Sequence, residues 1–208
     1  RGRFYAAASP ELRTPLQAML GHIELSLMRP REAEEYRTTL EEVNQQASRL
    51  RDLIQALLVL NQLETGSRAS QPERELSELL ESRLNLLSPI QLERLTATVN
   101  PSRTGPSAYA DMLMGNLVDN AFKYASPDTP IEVVLDAESF TVTNQASGLE
   151  GVDADKLFEP FYRPDASRSS ETGGNGLGLA LCKAICDSLH WKIGLEIREG
   201  SVAVTVRF

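Results

Sequence analysis

Apolar residues in the first third of the chain fall into two runs with the stepping of a helical seam. Leu12, Leu16, Met19, Ile23 and Leu27 form the first; Tyr36, Leu40, Val43, Ala47, Leu50, Ile54 and Leu57 form the second. Steps of three and four keep these side chains on one stripe of an α-helix, and their alternation is the pattern of a coiled coil. Arg29-Pro30-Arg31-Glu32 marks a sharp turn between the runs. Residues 1–66 therefore read as a helical hairpin. A lone hairpin cannot bury two apolar stripes, so the pattern predicts pairing with a second copy into a dimeric four-helix bundle. A hairpin folded onto the chain's own second domain is the alternative.

A polar break with Gly and Pro, residues 65–72 (TGSRASQP), separates this pattern from a mixed one. The second domain, 67–208, is expected to hold helices over 76–87, 111–124 and 177–189. Strands are expected over 95–99, 131–135, 140–142, 193–197 and 202–208. Helices and strands interleaved in this order predict an α+β chain whose second domain is a two-layer α/β sandwich.

Composition narrows the function. With 208 residues and a net charge of −8, the chain lacks the basic face that grips nucleic acid. Its apolar stretches are well short of the roughly 20 residues of a membrane span. A cytoplasmic protein is expected. The opening RGRFYAAAS has neither an initiator Met nor a signal-peptide pattern, so the chain reads as a fragment, with membrane attachment only through a possible upstream region. Cys182 and Cys186 lie four apart on an apolar helical stretch. Buried thiols in a reducing compartment explain them better than a metal site does.

Three segments carry candidate chemistry. In GNLVDNAFKYA, Asn116, Asn120 and Lys123 fall at helical spacing on one face, where an amide oxygen can hold Mg²⁺ and a lysine can meet phosphate. In SSETGGNGLGLALC, Gly173, Gly174, Gly176 and Gly178 precede a helix, so bare backbone amides can approach a phosphate chain closely. Between them, KLFEPFYRPDASR offers Phe158 and Phe161 as anchors of a polar loop, with Arg163 and Arg168 available to phosphates.

The order of these segments, with VTNQASGL between the first and the phenylalanines, resembles the ATP-binding domain of histidine kinases, within the gyrase, chaperone and kinase ATPase superfamily. FYAAASPELRTPL, residues 4–16, is similar to the phosphoacceptor box of the same family, F-x-x-x-x-S-H-E-L-R-T-P-L. The likeness covers nearly the whole chain. It implies a dimeric bundle offering a histidine and a Bergerat-type domain that delivers the γ-phosphate of ATP to it. Asn120 would then ligate Mg²⁺, and Asn116, Lys123 and Arg163 would lie along the phosphates. Tyr124 would line the nucleotide pocket, with Asn144 and Gly148, Phe158 and Phe161, and Gly174, Gly176, Leu177 and Gly178 completing the ATP site.

Three departures qualify the resemblance. Pro10 stands where the family has its phosphoacceptor histidine, and proline has no side-chain nitrogen with which to attack phosphorus. His22 lies twelve residues on, about 18 Å along a helix, and His190 is in the other domain, so both read as bystanders. The sequence also suits a helix that begins or kinks here, with Ser9 as N-cap and Pro10 in the first turn. Second, the family's Asp-x-Gly-x-Gly reads Asn144, Ala146 and Gly148. A neutral acceptor in place of a charged one weakens the bond to adenine by about 1 kcal/mol, and Ala146 would be strained if its φ had to be positive. Third, Leu189-His190-Trp191 replaces a His-Gly-Gly turn, with Trp191 expected to cover the sheet end.

The sequence thus predicts a two-component signalling protein that binds Mg-ATP without phosphorylating itself. Alternatives are a response-regulator phosphatase using Glu11 and Thr14, a kinase acting in trans on a partner kinase's histidine, and a dimerisation scaffold that binds no nucleotide.

Overall fold

The computed structural model describes residues 2–64, 72–149, 151–164 and 176–208. The chain divides into two compact units, Arg1–Asn61 and Gln62–Phe208.

In the first unit, α1 (Gly2–Leu27) and α2 (Ala33–Glu64) form the hairpin. His22 Nδ1 lies 2.9 Å from Glu42 Oε2, and the Ser26 hydroxyl donates to that of Thr39 at 3.1 Å. Arg31 closes the turn by donating to the Leu25 carbonyl at 2.9 Å. Leu53, Ala56 and Leu60 of α2 are buried, as are Ala8 and Pro15 of α1. The expected seam lies elsewhere on the same helices. Leu16, Ile23, Leu40 and Ile54 are all more than 40% exposed, so the stripe is not consumed within the hairpin.

The expectation of a helix starting at Ser9 is corrected: α1 runs from Gly2 through both Pro10 and Pro15. Ser9 is an interior residue and caps nothing. Each proline removes one N–H from the helical ladder, and the Thr14 hydroxyl donates to the Pro10 carbonyl at 3.1 Å. The turns on either side keep their hydrogen bonds, which is why the helix can carry the gaps. No described helix is long and apolar enough to cross a membrane.

In the second unit, β1 (Glu73–Glu75) pairs antiparallel with β3 (Thr104–Pro106) in a small ribbon. Between them come α3 (Leu76–Leu84), α4 (Pro89–Glu93) and β2 (Leu95–Val99). Then follow α5 (Ser107–Tyr124), β4 (Ile131–Leu135), β5 (Ser139–Gln145), a 3-10 turn (Ala154–Phe158), α6 (Gly178–Leu189), β6 (Lys192–Arg198) and β7 (Ser201–Arg207). Among the described residues, five strands form one sheet in the order β2-β4-β5-β7-β6, with only β2 and β4 parallel. Alternation sets its inner face: Ile131, Val133 and Leu135 of β4 and Phe140 and Val142 of β5 are buried. Against that face pack α3, α5 and α6, with α5 in contact with both other helices. Their buried residues include Leu80, Leu113, Leu117, Val118, Cys182 and Ile185. Trp191 is buried edge-on against Phe208, ring centroids 4.8 Å apart, at the end of the sheet.

The helix expected over 76–87 stops at Leu84 and restarts as α4. Ser88 and Gln91 form a reciprocal capping box there, with Pro89 in the first turn.

Candidate functional site

Two helices bring the first and last motifs together. Amphipathic α5 buries Leu113, Leu117 and Ala121 and turns Asn116 and Asn120 to a half-buried edge. At that edge begins α6, whose first residue is Gly178. A Cβ on Gly178 would stand 3.2 Å from Asn116 Oδ1 and 3.2 Å from Asn120 Nδ2, so a side chain there would crowd both carboxamides. Asn116 donates to the Met112 carbonyl at 2.8 Å, with its oxygen on the side of Gly178. Asn120 has no hydrogen-bond partner among the described residues. The N-cap residue of α6, Leu177, makes no side-chain cap, and the helix dipole places positive potential at that end.

The phenylalanine segment joins the same helix start. Gly176 adopts φ +68°, and a Cβ there would stand 2.8 Å from Phe161 Cα. Phe161 N–H donates to the Gly176 carbonyl at 2.9 Å, and Phe161 itself adopts φ 66°. Phe158 and Leu177 are buried on either side of this contact. Two residues on, Arg163 faces Tyr124: partial burial pushes the Tyr124 phenol up, and the Arg163 charge pulls it down. The Lys123 ammonium sits 5.4 Å from the Tyr124 ring centroid, within reach of a weak cation–π contact. Asn116, Asn120, Lys123, Tyr124, Phe161, Arg163, Gly176, Leu177 and Gly178 thus form one connected region. Gly173, Gly174 and Arg168 lie outside the described residues.

Asn144 ends the buried face of β5, paired with Ile131 and Val202. Its amide donates to the Gln145 carbonyl at 3.3 Å, and its oxygen has no donor among the described residues. The strain foreseen at Ala146 is absent: its φ is not positive, and its N–H donates to the Gly200 carbonyl at 2.8 Å. The positive φ falls instead on Gly148, at 82°. Ser126 N–H donates to the Gln145 carbonyl at 2.7 Å, tying the end of α5 to the end of β5. Neither Ser126 nor Arg94, which holds its carbonyl, lies in a stretch with any motif signal.

Glu11, Thr14 and Pro10 lie in the other unit, all exposed on α1. Cys182 and Cys186 are buried free thiols. Burial, reinforced by the neighbouring Cys186, raises the Cys182 thiol well above its usual value; burial and the Asp187 charge push Cys186 up to about 12. Both are held as neutral thiols and pack as small apolar groups.

Residues 1–66 match the family described as the His Kinase A (phospho-acceptor) domain, and residues 108–208 match the histidine kinase-, DNA gyrase B-, and HSP90-like ATPase. The sensor protein VanSC of Enterococcus gallinarum is 30% identical over 95% of this chain and 57% of its own length. The phosphate regulon sensor protein PhoR of Pseudomonas aeruginosa is 33% identical over 89% of this chain and 44% of its own. In fold, the chain is similar to the Acinetobacter baumannii histidine kinase AdeS, with a TM-score of 0.70 at 19% identity over 95% of this chain and 96% of that one. The chain spans about half the length of the curated relatives it matches. A phosphoacceptor-type hairpin followed by an ATPase domain of this kind is the core shared by a class of bacterial signalling proteins. The chain carries the histidine-kinase core of two-component systems.

Proposed function

We propose that this protein is a nucleotide-sensitive signalling dimer that binds Mg-ATP and cannot phosphorylate itself. The observation that carries this reading is the contrast between its two halves. The ATPase domain keeps a cradle that a single Cβ on Gly178 would fill, whereas the phosphoacceptor domain offers proline at residue 10.

The chemistry of the donor set fits a nucleotide triphosphate with its metal. Asn120, whose side chain has no partner among the described residues, lies beside a helix N-terminus and would ligate Mg²⁺. The α6 amides would face the phosphates, with Asn116, Lys123 and Arg163 along them. Gly176 and Leu177 would bring the backbone close, and Phe158 and Phe161 would anchor it. Asn144 would accept from the base, with Gly148 turning the chain beside it and Tyr124 lining the pocket. Mg-ATP would supply an electrophilic γ-phosphoryl group. Pro10 presents it with no nucleophile.

Support for dimerisation comes from the uncovered stripe on the hairpin. Met19, Leu50, Ile54 and Leu58 line an open apolar groove of about 420 Å³ in that unit, a natural seat for helices of a second copy. A response regulator or partner kinase would read the dimer's state.

A second reading, a response-regulator phosphatase, rests on Glu11 and Thr14, exposed one turn apart on α1. The Thr14 hydroxyl donates its proton to Pro10 O and can still accept a hydrogen bond from a water. Thr14→Ala should then stop loss of phosphate from the cognate regulator; an unchanged rate excludes that role.

Calorimetric titration with Mg-ATP, paired with incubation in γ-labelled ATP, tests the main reading. Saturable binding without an acid-labile label is expected. No binding leaves a dimerisation scaffold or the phosphatase. Labelling of an added histidine kinase partner whose own ATPase domain is inactivated would instead assign phosphotransfer in trans.

A further inference from the structure

Resting on the proposal that Asn144 meets the nucleotide base, the structure assigns Arg94 as a positioning residue for base recognition. Arg94 follows α4 and is half-buried. Among the described residues its guanidinium meets no carboxylate. Instead Nε donates to the Thr129 carbonyl at 3.0 Å and Nη2 to the Ser126 carbonyl at 3.1 Å, spanning the loop between α5 and β4. Its own carbonyl accepts from Ile131 N–H at 2.8 Å. One residue thus fixes both ends of the loop that leaves Tyr124.

The loop passes this constraint to Asn144. Ser126 has its carbonyl on Arg94 and on the Thr129 N–H and hydroxyl, and its own N–H on the Gln145 carbonyl, at 2.7 Å. That same carbonyl accepts the Asn144 amide at 3.3 Å. A carboxamide, unlike a carboxylate, can present either an acceptor or a donor to a base. Here the Gln145 carbonyl engages the NH₂ and turns the oxygen outward. An outward acceptor suits the 6-amino group of adenine and opposes the 6-oxo group of guanine. Arg94, by holding Ser126 against Gln145, keeps the amide in that sense without touching the ligand.

Base selectivity is the readout that separates this role from a merely structural one. Calorimetry with Mg-ATP and Mg-GTP should show the parent preferring ATP by about tenfold, the ratio set by roughly one hydrogen bond gained against one opposed. Arg94→Ala should weaken ATP and bring the ratio close to one, and Arg94→Lys, which keeps one donor, should restore part of it. Ser126→Pro deletes the N–H that reaches Gln145, together with a hydroxyl that makes no hydrogen bond among the described residues. Ala125 before it is already extended (φ −62°, ψ 142°), as a residue preceding proline requires. This variant should lose selectivity with Arg94 intact, and it serves if Arg94→Ala fails to fold. A parent that prefers ATP and variants that bind both nucleotides in the parent's ratio would overturn the assignment. A parent that binds neither nucleotide would overturn the nucleotide reading itself.

Discussion

Gly178 shows how a missing side chain can define a site. Asn116 and Asn120 close on it to 3.2 Å of where a Cβ would stand, so Gly178→Ala must push one carboxamide aside. Its φ is not in the left-handed region, and alanine is the better helix former. The variant should therefore keep its melting temperature within a few degrees while Mg-ATP affinity drops about tenfold or more; calorimetry and thermal melts separate the two. Unchanged affinity would remove the cradle from the nucleotide site. The thiols make a different residue-scale prediction. Cys186 titrates near 9.0 when unfolded and at about 12 when folded, raised first by burial and then by Asp187. The folded state holds its proton where the unfolded state releases it, so stability is full below pH 9 and falls as pH rises towards 12. Melting temperature measured from pH 8 to 11 should fall more steeply in the parent than in Cys182→Ala/Cys186→Ala.

Among the elements, the long periodic helices and the alternating strands were legible because their patterns repeat over many residues. The register of exposure was not. Leu53, Ala56 and Leu60 close the hairpin while Leu40 and Ile54 stay open, a distinction the three-four stepping of one helix cannot make, since neighbouring stripes are equally apolar. Short elements escaped for other reasons. The ribbon of Glu73–Glu75 and Thr104–Pro106 is three polar or small residues a side, too brief for periodicity. By contrast, α4 carried a readable Ser-Pro-Ile-Gln capping signature that its five-residue length concealed. In the site, Asn116, Asn120 and the glycines were visible as motifs. Arg94 was not, because its role depends on carbonyls 32 and 35 residues away. The open stripe supports its own test. Ile54→Glu/Leu58→Glu places two charges in the apolar groove, where burial without a partner costs several kcal/mol. Light scattering should report a monomer with helix content preserved; a dimer of unaltered affinity would show that the stripe is not the interface.

At the scale of the whole molecule, the two units differ, on the proposed reading, in how completely they keep what phosphotransfer would require. The ATPase domain retains its helix-end cradle, its positive-φ glycines and an acceptor at Asn144. The hairpin retains Glu11, Arg13, Thr14 and Pro15 around a residue that has no nucleophile. On this account a single substitution separates the protein from self-phosphorylation. Loss at Asn144 is graded, about 1 kcal/mol, whereas loss at Pro10 is complete. The measurement that tests this most directly is labelling of Pro10→His beside the parent with γ-labelled Mg-ATP. The account predicts an acid-labile label on Pro10→His and none on the parent; a labelled parent, or a Pro10→His protein that binds ATP and stays unlabelled, would contradict it.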